Sequence, residues 1–172
     1  IKNTISYNSG FFEIQDISSQ VAINFISLNE KIKVLDFCAG SGGKTLALAS
    51  ELKGKGNFYA YDHNIYRMKD IKKRLFRNGV KCKILNKKDV FSGKFNFDLV
   101  LTDVPCSGSG TWRRNPELKW NLDKNKLNEI LEIQANILSI VSSLLGSKGK
   151  IAYITCSVLD CENQDQIFNF LN

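Results

Sequence analysis

Apolar positions along this chain alternate between short continuous runs and helical stripes. Lys33–Phe37, with Val34, Leu35 and Phe37 apolar, reads as a short buried strand. Leu46, Ala47, Leu48 and Ala49 then predict a helix ending at Gly54. Phe58–Tyr61 is a second strand that ends at Asp62. Ile65, Met68, Ile71 and Leu75 share one helical face, so a helix is expected from about Ile65, closed by Asn78 and Gly79. Lys81–Asn86 is a weaker third strand followed by Asp89, and Phe97–Thr102 is a fourth. Asp123 can cap a long helix reaching to near Gly146, with a stripe from Leu127, Ile130 and Leu131 through Ile137, Leu138 and Val141 to Leu144 and Leu145. Lys150–Thr155 is a fifth strand leading into Cys156, and a last helix carries Ile167, Phe168 and Leu171. Ahead of all this, residues 1–15 form a polar, aromatic lead-in broken by Gly10. Asp16 or Ser18 then caps a helix to about Leu28, with Val21, Ala22, Phe25 and Ile26 apolar.

Strands alternating with helices at this spacing predict an α/β fold: a mostly parallel sheet with helices on both faces. Right-handed crossovers would put the five strand carboxyl ends on one edge, where open sheets of this kind bind ligands. The residues expected there are the glycine loop 38–43, Asp62, Asp89, Asp103 with Cys106, and Cys156. The stretch from Leu101 to Trp120 stands out because it turns from a buried strand into a basic, aromatic loop carrying an acid and a thiol.

Composition narrows the chemistry. The chain has 172 residues, enough for one domain with a real core. Its net charge of +7 suits a polyanionic partner, although lysines on solvated faces give the same sum. A single histidine, His63, excludes catalysis that needs two and makes a histidine-rich metal site implausible. Five cysteines (Cys38, Cys82, Cys106, Cys156, Cys161) form no Cys-x-x-Cys pair, so neither a disulfide framework nor a zinc cluster is indicated. Reduced thiols, a cytoplasmic setting and no metal are expected. No apolar run is long enough to span a membrane and no secretory leader opens the chain. Because the first residue is Ile1, a piece of a longer protein is expected.

The glycine loop CAGSGGKT fits two familiar nucleotide motifs incompletely. A Walker A loop needs glycine where Cys38 stands, and a dinucleotide loop starting at Gly40 meets Thr45 in place of its third glycine. What remains is a loop that a ligand can approach closely, with a carboxylate, Asp62, about 20 residues on and suited to ribose hydroxyls. An adenosine-type ligand without a pyrophosphate fits best, S-adenosylmethionine foremost. Asp62 as a plain turn or cap residue is the alternative.

DVPCSGSGTWRRNPELKW (103–120) together with Tyr153-Ile154-Thr155-Cys156-Ser157 resembles the RNA cytosine-5 methyltransferases of the NOL/NOP/Sun group, in particular the bacterial Fmu type. Phe11–Gln20, FFEIQDISSQ, is similar to the sequence before that family's cofactor loop, so the resemblance runs from about Gly10 to Ile167. It implies a Rossmann-like S-adenosylmethionine-dependent methyltransferase fold lacking the last strands of the family sheet, and lacking the amino-terminal RNA-binding region of the fuller bacterial enzymes. It implies one catalytic domain over 1–172, with a lead-in and first helix (1–30), a cofactor half (31–95) and a base and catalytic half (96–172). It further implies methylation of carbon 5 of cytosine in RNA, ribosomal RNA foremost, by a monomer. Cys156 would be the nucleophile and Cys106 would assist release. Asp103 would hold the cytosine, with Lys44 beside it. Cys38, Ala39, Gly40, Ser41, Gly42, Gly43 and Lys44, with Asp62, Asp89 and Asp103, would form the cofactor site, Asp62 on the ribose and Asp89 on the adenine side. Ser41 stands where the family usually has proline, which loosens the turn.

The residues themselves do not choose between the thiols. A cysteine at a strand end before a helix start can have its pKa lowered, and this holds for Cys106 as for Cys156. Arg113, Arg114, Lys119, Trp112 and Trp120 make a basic loop with aromatic interleaving, suited to phosphates and an unstacked base. The opposing view is that Trp112 and Trp120 pack onto the domain, the stronger case being Trp120. Lys69, Lys72, Lys73, Arg74 and Arg77 read as a solvated polar face. Two other functions stay open: a domain that binds cofactor or RNA without turnover, and a base amino-group methyltransferase, which would call for an aromatic where Asp103-Val104-Pro105-Cys106 has the thiol.

Overall fold

The computed structural model of the chain describes residues 1–27 and 31–172. The chain divides into two compact units, residues 1–101 with 144–152, and residues 102–143 with 153–172.

The first unit is built on a sheet of order β3-β2-β1-β4-β5. Its strands are β1 (Lys33–Asp36), β2 (Asn57–Ala60), β3 (Cys82–Ile84), β4 (Phe97–Asp103) and β5 (Leu145–Ile154). β1 pairs in parallel with β2, Val34 opposite Phe58, and with β4, Val34 opposite Leu99; β2 pairs in parallel with β3. A central parallel strand is covered on both faces, which is why Val34, Leu35 and Asp36 are all buried instead of alternating. The helices of this unit are α1 (Ile5–Asn8), α2 (Ile17–Asn24), α3 (Gly43–Glu51), α4 (Ile71–Arg77) and α5 (Lys87–Val90). Ala39, Leu46, Ala60, Met68, Ile71 and Leu75 form a buried cluster, with Val80, Cys82 and Ile84 packed against it.

Four details differ from the pattern-based expectation. α2 ends at Asn24 and buries Ile23, leaving Val21 and Phe25 exposed; so short a helix buries only one narrow line of contact, and Leu28 lies outside the described residues. The helix expected from Ile65 is split, because the Asn64 side chain accepts from the Tyr66 N–H and winds Ile65–Met68 into a 3₁₀ turn; Met68 is buried and Ile65 faces solvent. β3 is shorter than expected because Asn86 starts α5, placing Asp89 in a helical first turn. The long helix stops at Ser142, since the Leu144 carbonyl accepts from the Phe97 N–H at 2.9 Å and the chain is already in the sheet at Leu145.

The basic run on α4 also divides. Lys69, Lys72 and Lys73 are exposed, whereas the Arg74 and Arg77 side chains are only 17% and 11% exposed. Both pair with Glu13 in the lead-in, Arg74 at 3.4 Å; Asn78 Nδ2 also donates to Glu13, and the Arg77 guanidinium lies 4.0 Å from the centre of the Tyr7 ring. The lead-in is thereby part of the folded unit.

The second unit contains the loop after β4, with α6 (Glu117–Trp120), α7 (Lys124–Ser142) and α8 (Gln164–Leu171). Asp123 caps α7 by accepting from the Lys126 N–H at 2.8 Å. The buried residues of the second unit include Leu138 and Val141, but also Gln134, Glu162 and Gln166. On α8, Gln166 donates to the Leu131 carbonyl at 2.9 Å; this bond turns the helix so that Phe168 and Leu171 face solvent and Ile167 is half-buried.

Glu13 yields a stability prediction with a definite sign. Burial pushes its pKa up, but the Ile14 N–H, Arg74 and Arg77 outweigh that and hold it below the ordinary value of 4.5. A depressed carboxylate contributes stability that is present above its unfolded pKa and lost as pH falls through its folded one. Glu13→Ala is expected to cost about 2–3 kcal/mol at neutral pH by leaving two nearly buried guanidiniums without a counter-charge. It should also flatten the loss of stability below pH 4.5, as checked by urea denaturation across pH.

Candidate active site

The candidate residues fall into two clusters, one in each unit. In the first unit, the glycine loop leaves β1 and is tied to the end of β2. The Ala39 N–H donates to the Tyr61 carbonyl at 3.0 Å, and the Gly40 N–H donates to Asp62 Oδ2 at 2.9 Å. Asp62 Oδ1 accepts from the Asn64 N–H at 2.9 Å, and Arg67 approaches Oδ2 at 3.4 Å. Asp62 is 7% exposed, while Arg67 is half in solvent. Gly42 takes φ +83°, and a Cβ there would lie 2.7 Å from Ile71 Cγ1, so the loop needs glycine for conformation and for space. Asp36 Oδ2 accepts from the Thr45 hydroxyl at 2.6 Å, fixing the first turn of α3, where Lys44 lies half-buried. Cys38, Ala39 and Gly43 complete the loop, Cys38 half-buried beside Tyr61.

Ser41 does not leave the turn loose. Arg74 Nη1 donates to both its carbonyl at 3.0 Å and its hydroxyl at 2.7 Å, so the arginine held by Glu13 also clamps the loop. Asp89 is engaged in a capping box: its Oδ2 accepts from the Asn86 N–H at 3.2 Å, while its own N–H donates to Asn86 Oδ1 at 2.9 Å.

In the second unit, β4 ends at half-buried Asp103, and the loop beyond it brings Cys106 against Cys156. The two sulfurs are 3.1 Å apart, and the Cys156 N–H also donates to Cys106 Sγ at 3.4 Å. The close approach depends on Gly110: its N–H donates to the Cys156 carbonyl at 3.0 Å, and a Cβ there would lie 2.9 Å from that oxygen. The Cys156 hydrogen bond, opposed by burial and reinforced by the Cys156 and Gly108 N–H groups, brings Cys106 down to about 7. Cys156 is pushed up by the adjoining Cys106 sulfur, then by burial and by Asp103. The two thiols titrate as a pair: the shared hydrogen bond lowers the first ionisation, and the charge of the first raises the second. Cys82 is pushed up to about 12 by burial, with Asp36 adding to it, and Cys161 is also raised, chiefly by burial. Among the described residues no group of three or more His, Cys, Asp or Glu side chains could hold a metal, and no helix is long and apolar enough to cross a membrane.

Beyond the thiols the loop is open. Arg113 and Arg114 are exposed and Trp112 is half-buried. Trp120, expected to pack, is 81% exposed. The Lys119 ammonium lies 5.9 Å from the centre of the Trp112 ring and 5.7 Å from that of Trp120, at the outer limit of a cation–π contact. Trp120 is thus a surface aromatic of the loop, because α6 is a single turn with no buried residue.

A parallel nucleotide-type sheet, a glycine loop bonded to an acid just past β2 and a thiol pair in the loops beyond the strands together define a Rossmann-like methyltransferase class. Residues 23–172 match the family of 16S rRNA methyltransferases RsmB/F, and the chain belongs to that family. It is 33% identical over 169 residues to the ribosomal RNA small subunit methyltransferase B of Enterobacter sp. (strain 638), covering 96% of this chain and 39% of that protein. The crystal structure of PH0851 superposes with a TM-score of 0.90 at 36% identity, covering 99% of this chain and 40% of that one. A methyltransferase homolog protein from Pyrococcus horikoshii superposes at 0.83 with 28% identity, over 99% of this chain and 54% of that one. The chain therefore spans about two fifths of the length of the curated relative it matches.

The sulfur geometry sets an expected titration. Thiolate absorbance followed against pH should show a first step near 7, below the ~8.5 of a free cysteine. Cys156→Ala removes the S–H donor and leaves the backbone N–H groups of residues 156 and 108, so the Cys106 step should move up toward the ordinary value. An unmoved step would contradict a shared proton.

Proposed function

We propose that this chain is the catalytic part of an S-adenosylmethionine-dependent methyltransferase acting on carbon 5 of cytosine in RNA, ribosomal RNA by the likeness to its relatives. The observation that carries the reading is the pair of thiols with their sulfurs 3.1 Å apart.

The first-unit cluster has the donor set for an adenosine ligand. Gly40 and Gly42 let a ligand approach the backbone, and Asp62 presents a carboxylate whose half-solvated Arg67 partner could yield to ribose hydroxyls. Residues 38–44 would line the site, with Asp103 at its border and Asp89 toward the adenine, through whatever acceptor capacity the capping box leaves. S-adenosylmethionine bound there supplies an electrophilic methyl group.

The chain's own residues supply the rest. Carbon 5 of cytosine is a poor nucleophile until a thiolate adds to carbon 6 and makes it enamine-like. Cys156 is the proposed nucleophile. Its sulfur is in hydrogen-bond contact with that of Cys106, which as a thiolate is placed to take the Cys156 proton as the Cys156 sulfur bonds to carbon 6. After methyl transfer, loss of the carbon 5 proton to a base restores the ring double bond and expels the Cys156 thiolate; Cys106 assists this release. Asp103, close enough to raise Cys156, would hold the ring nitrogen and amino group of the base, with Lys44 beside them. Arg113, Arg114 and Lys119 would meet phosphates, and Trp112 would stack on a base removed from its helix. The reaction suits a monomer in the cytoplasm.

Labelled S-adenosylmethionine with small-subunit ribosomal RNA tests the reading. Cys156→Ala should lower methyl transfer by about 10³-fold or more, and Cys106→Ala should accumulate a protein–RNA adduct stable to denaturant. Asp62→Asn should weaken cofactor binding by about tenfold or more while sparing the thiol titration. Transfer that persists in Cys156→Ala would refute the covalent scheme, and cofactor binding without transfer would favour a binding role.

A further inference from the structure

Glu162 lies outside every motif described so far, yet it is 0% exposed. Its carboxylate meets only donors. Oε1 accepts from the Ser107 N–H at 2.8 Å and from Gln134 Nε2 at 3.0 Å. Oε2 accepts from the hydroxyls of Ser107 and Ser157. Ser107 follows Cys106 and Ser157 follows Cys156, so one carboxylate grips both cysteine loops at the residue next to each thiol. Gln134 extends the grip, since its Nε2 also donates to the Pro105 carbonyl at 2.9 Å. Ser109 closes the arrangement: its hydroxyl lies 2.9 Å from that of Ser157 and accepts from the Val158 N–H at 2.9 Å. The Glu162 carbonyl accepts from the Tyr153 hydroxyl at 2.8 Å, and Asn163 holds the Ser157 and Leu159 carbonyls at 3.1 and 2.9 Å.

A fully buried carboxylate is costly unless its lone pairs are met, by several kcal/mol. Here the groups that meet them come from two loops 50 residues apart in sequence, so the acid is satisfied only when the loops are together. We infer that Glu162 is a positioning residue for the thiol pair: it takes hydrogen bonds from Ser107 and Ser157 at once and so fixes the distance between the Cys106 and Cys156 sulfurs. This rests on the reading of the two thiols as the reacting groups. It differs from packing alone because a charge beside the pair also acts on it directly. Glu162 by its negative charge raises Cys106, while by its grip it maintains the contact that lowers it. The titratable groups that face the pair are Asp103, Glu162 and Tyr153.

The two effects separate in two variants. Glu162→Gln removes the charge and keeps an acceptor and the shape, so the first thiol step of the chain should fall below its position near 7. Glu162→Ala removes the grip, and the step should rise by about one unit or more. With RNA and S-adenosylmethionine, Glu162→Ala should lower kcat by about 10²-fold with KM little changed, and Glu162→Gln should recover at least about tenfold of that loss. A step that falls or stays in Glu162→Ala, in protein shown folded by its melting curve, overturns the inference. If Glu162→Ala does not fold, Ser157→Ala and Ser107→Ala each cut one tie and leave the charge. Both should raise the step, and no movement in either overturns the inference. Absence of methyl transfer by the unaltered chain would defeat the proposed function and leave the titration as a test of Glu162 by itself.

Discussion

A carboxylate removed from water must find hydrogen-bond donors, and in this protein the donors are supplied by loops. Asp62 is met by the Gly40 and Asn64 amides, Asp36 by the Thr45 hydroxyl, Glu13 by Arg74, Arg77 and Asn78, and Glu162 by Ser107, Ser157 and Gln134. Each acid converts a segment with no ladder of its own into one with a fixed position. Leaving such a group unmet costs about 1–3 kcal/mol per lost bond, more when the group is charged. The parallel strands place the loop roots, and the buried acids place the loop tips.

That division of labour explains where the chemistry sits. A backbone amide donating to a carboxylate is short and stiff, so Gly40 is held while its face stays open to a ligand. In the second unit the same device brings two soft, acidic groups into contact. Two thiolates side by side would repel, so ionising one sulfur opposes ionising the other, and the surrounding acids add to that opposition. Two cysteine sulfurs in hydrogen-bond contact can pass a proton between them without a histidine; the chain's single histidine, His63, lies on an exposed turn.

Much of this was legible in the sequence. The strand runs, the alternation with helices and the glycine loop led to the sheet, because burial on both faces of a parallel strand writes itself as a continuous apolar run. Asp103-Val104-Pro105-Cys106 and Thr155-Cys156-Ser157 led to the thiols. What escaped depends on contacts far apart in the chain. Arg74 and Arg77 share a helix with exposed lysines and look like them; only Glu13, more than 60 positions earlier, sets them apart. Glu162 reads as a polar residue before a helix, since nothing local shows that two serines in different loops will close over it. The split at Asn64–Tyr66 was hidden because a side-chain cap interrupted a helical stripe whose spacing was otherwise regular.

The clamp on Ser41 makes the lead-in part of what holds the glycine loop. The family match begins at residue 23, yet Glu13 lies before it and holds the arginine that holds the glycine loop. Tyr7, under the Arg77 guanidinium, lies earlier still. A cut at residue 23 would remove that brace and take from Arg74 and Arg77 the carboxylate they share. The smallest piece that keeps the glycine loop in shape therefore includes the lead-in.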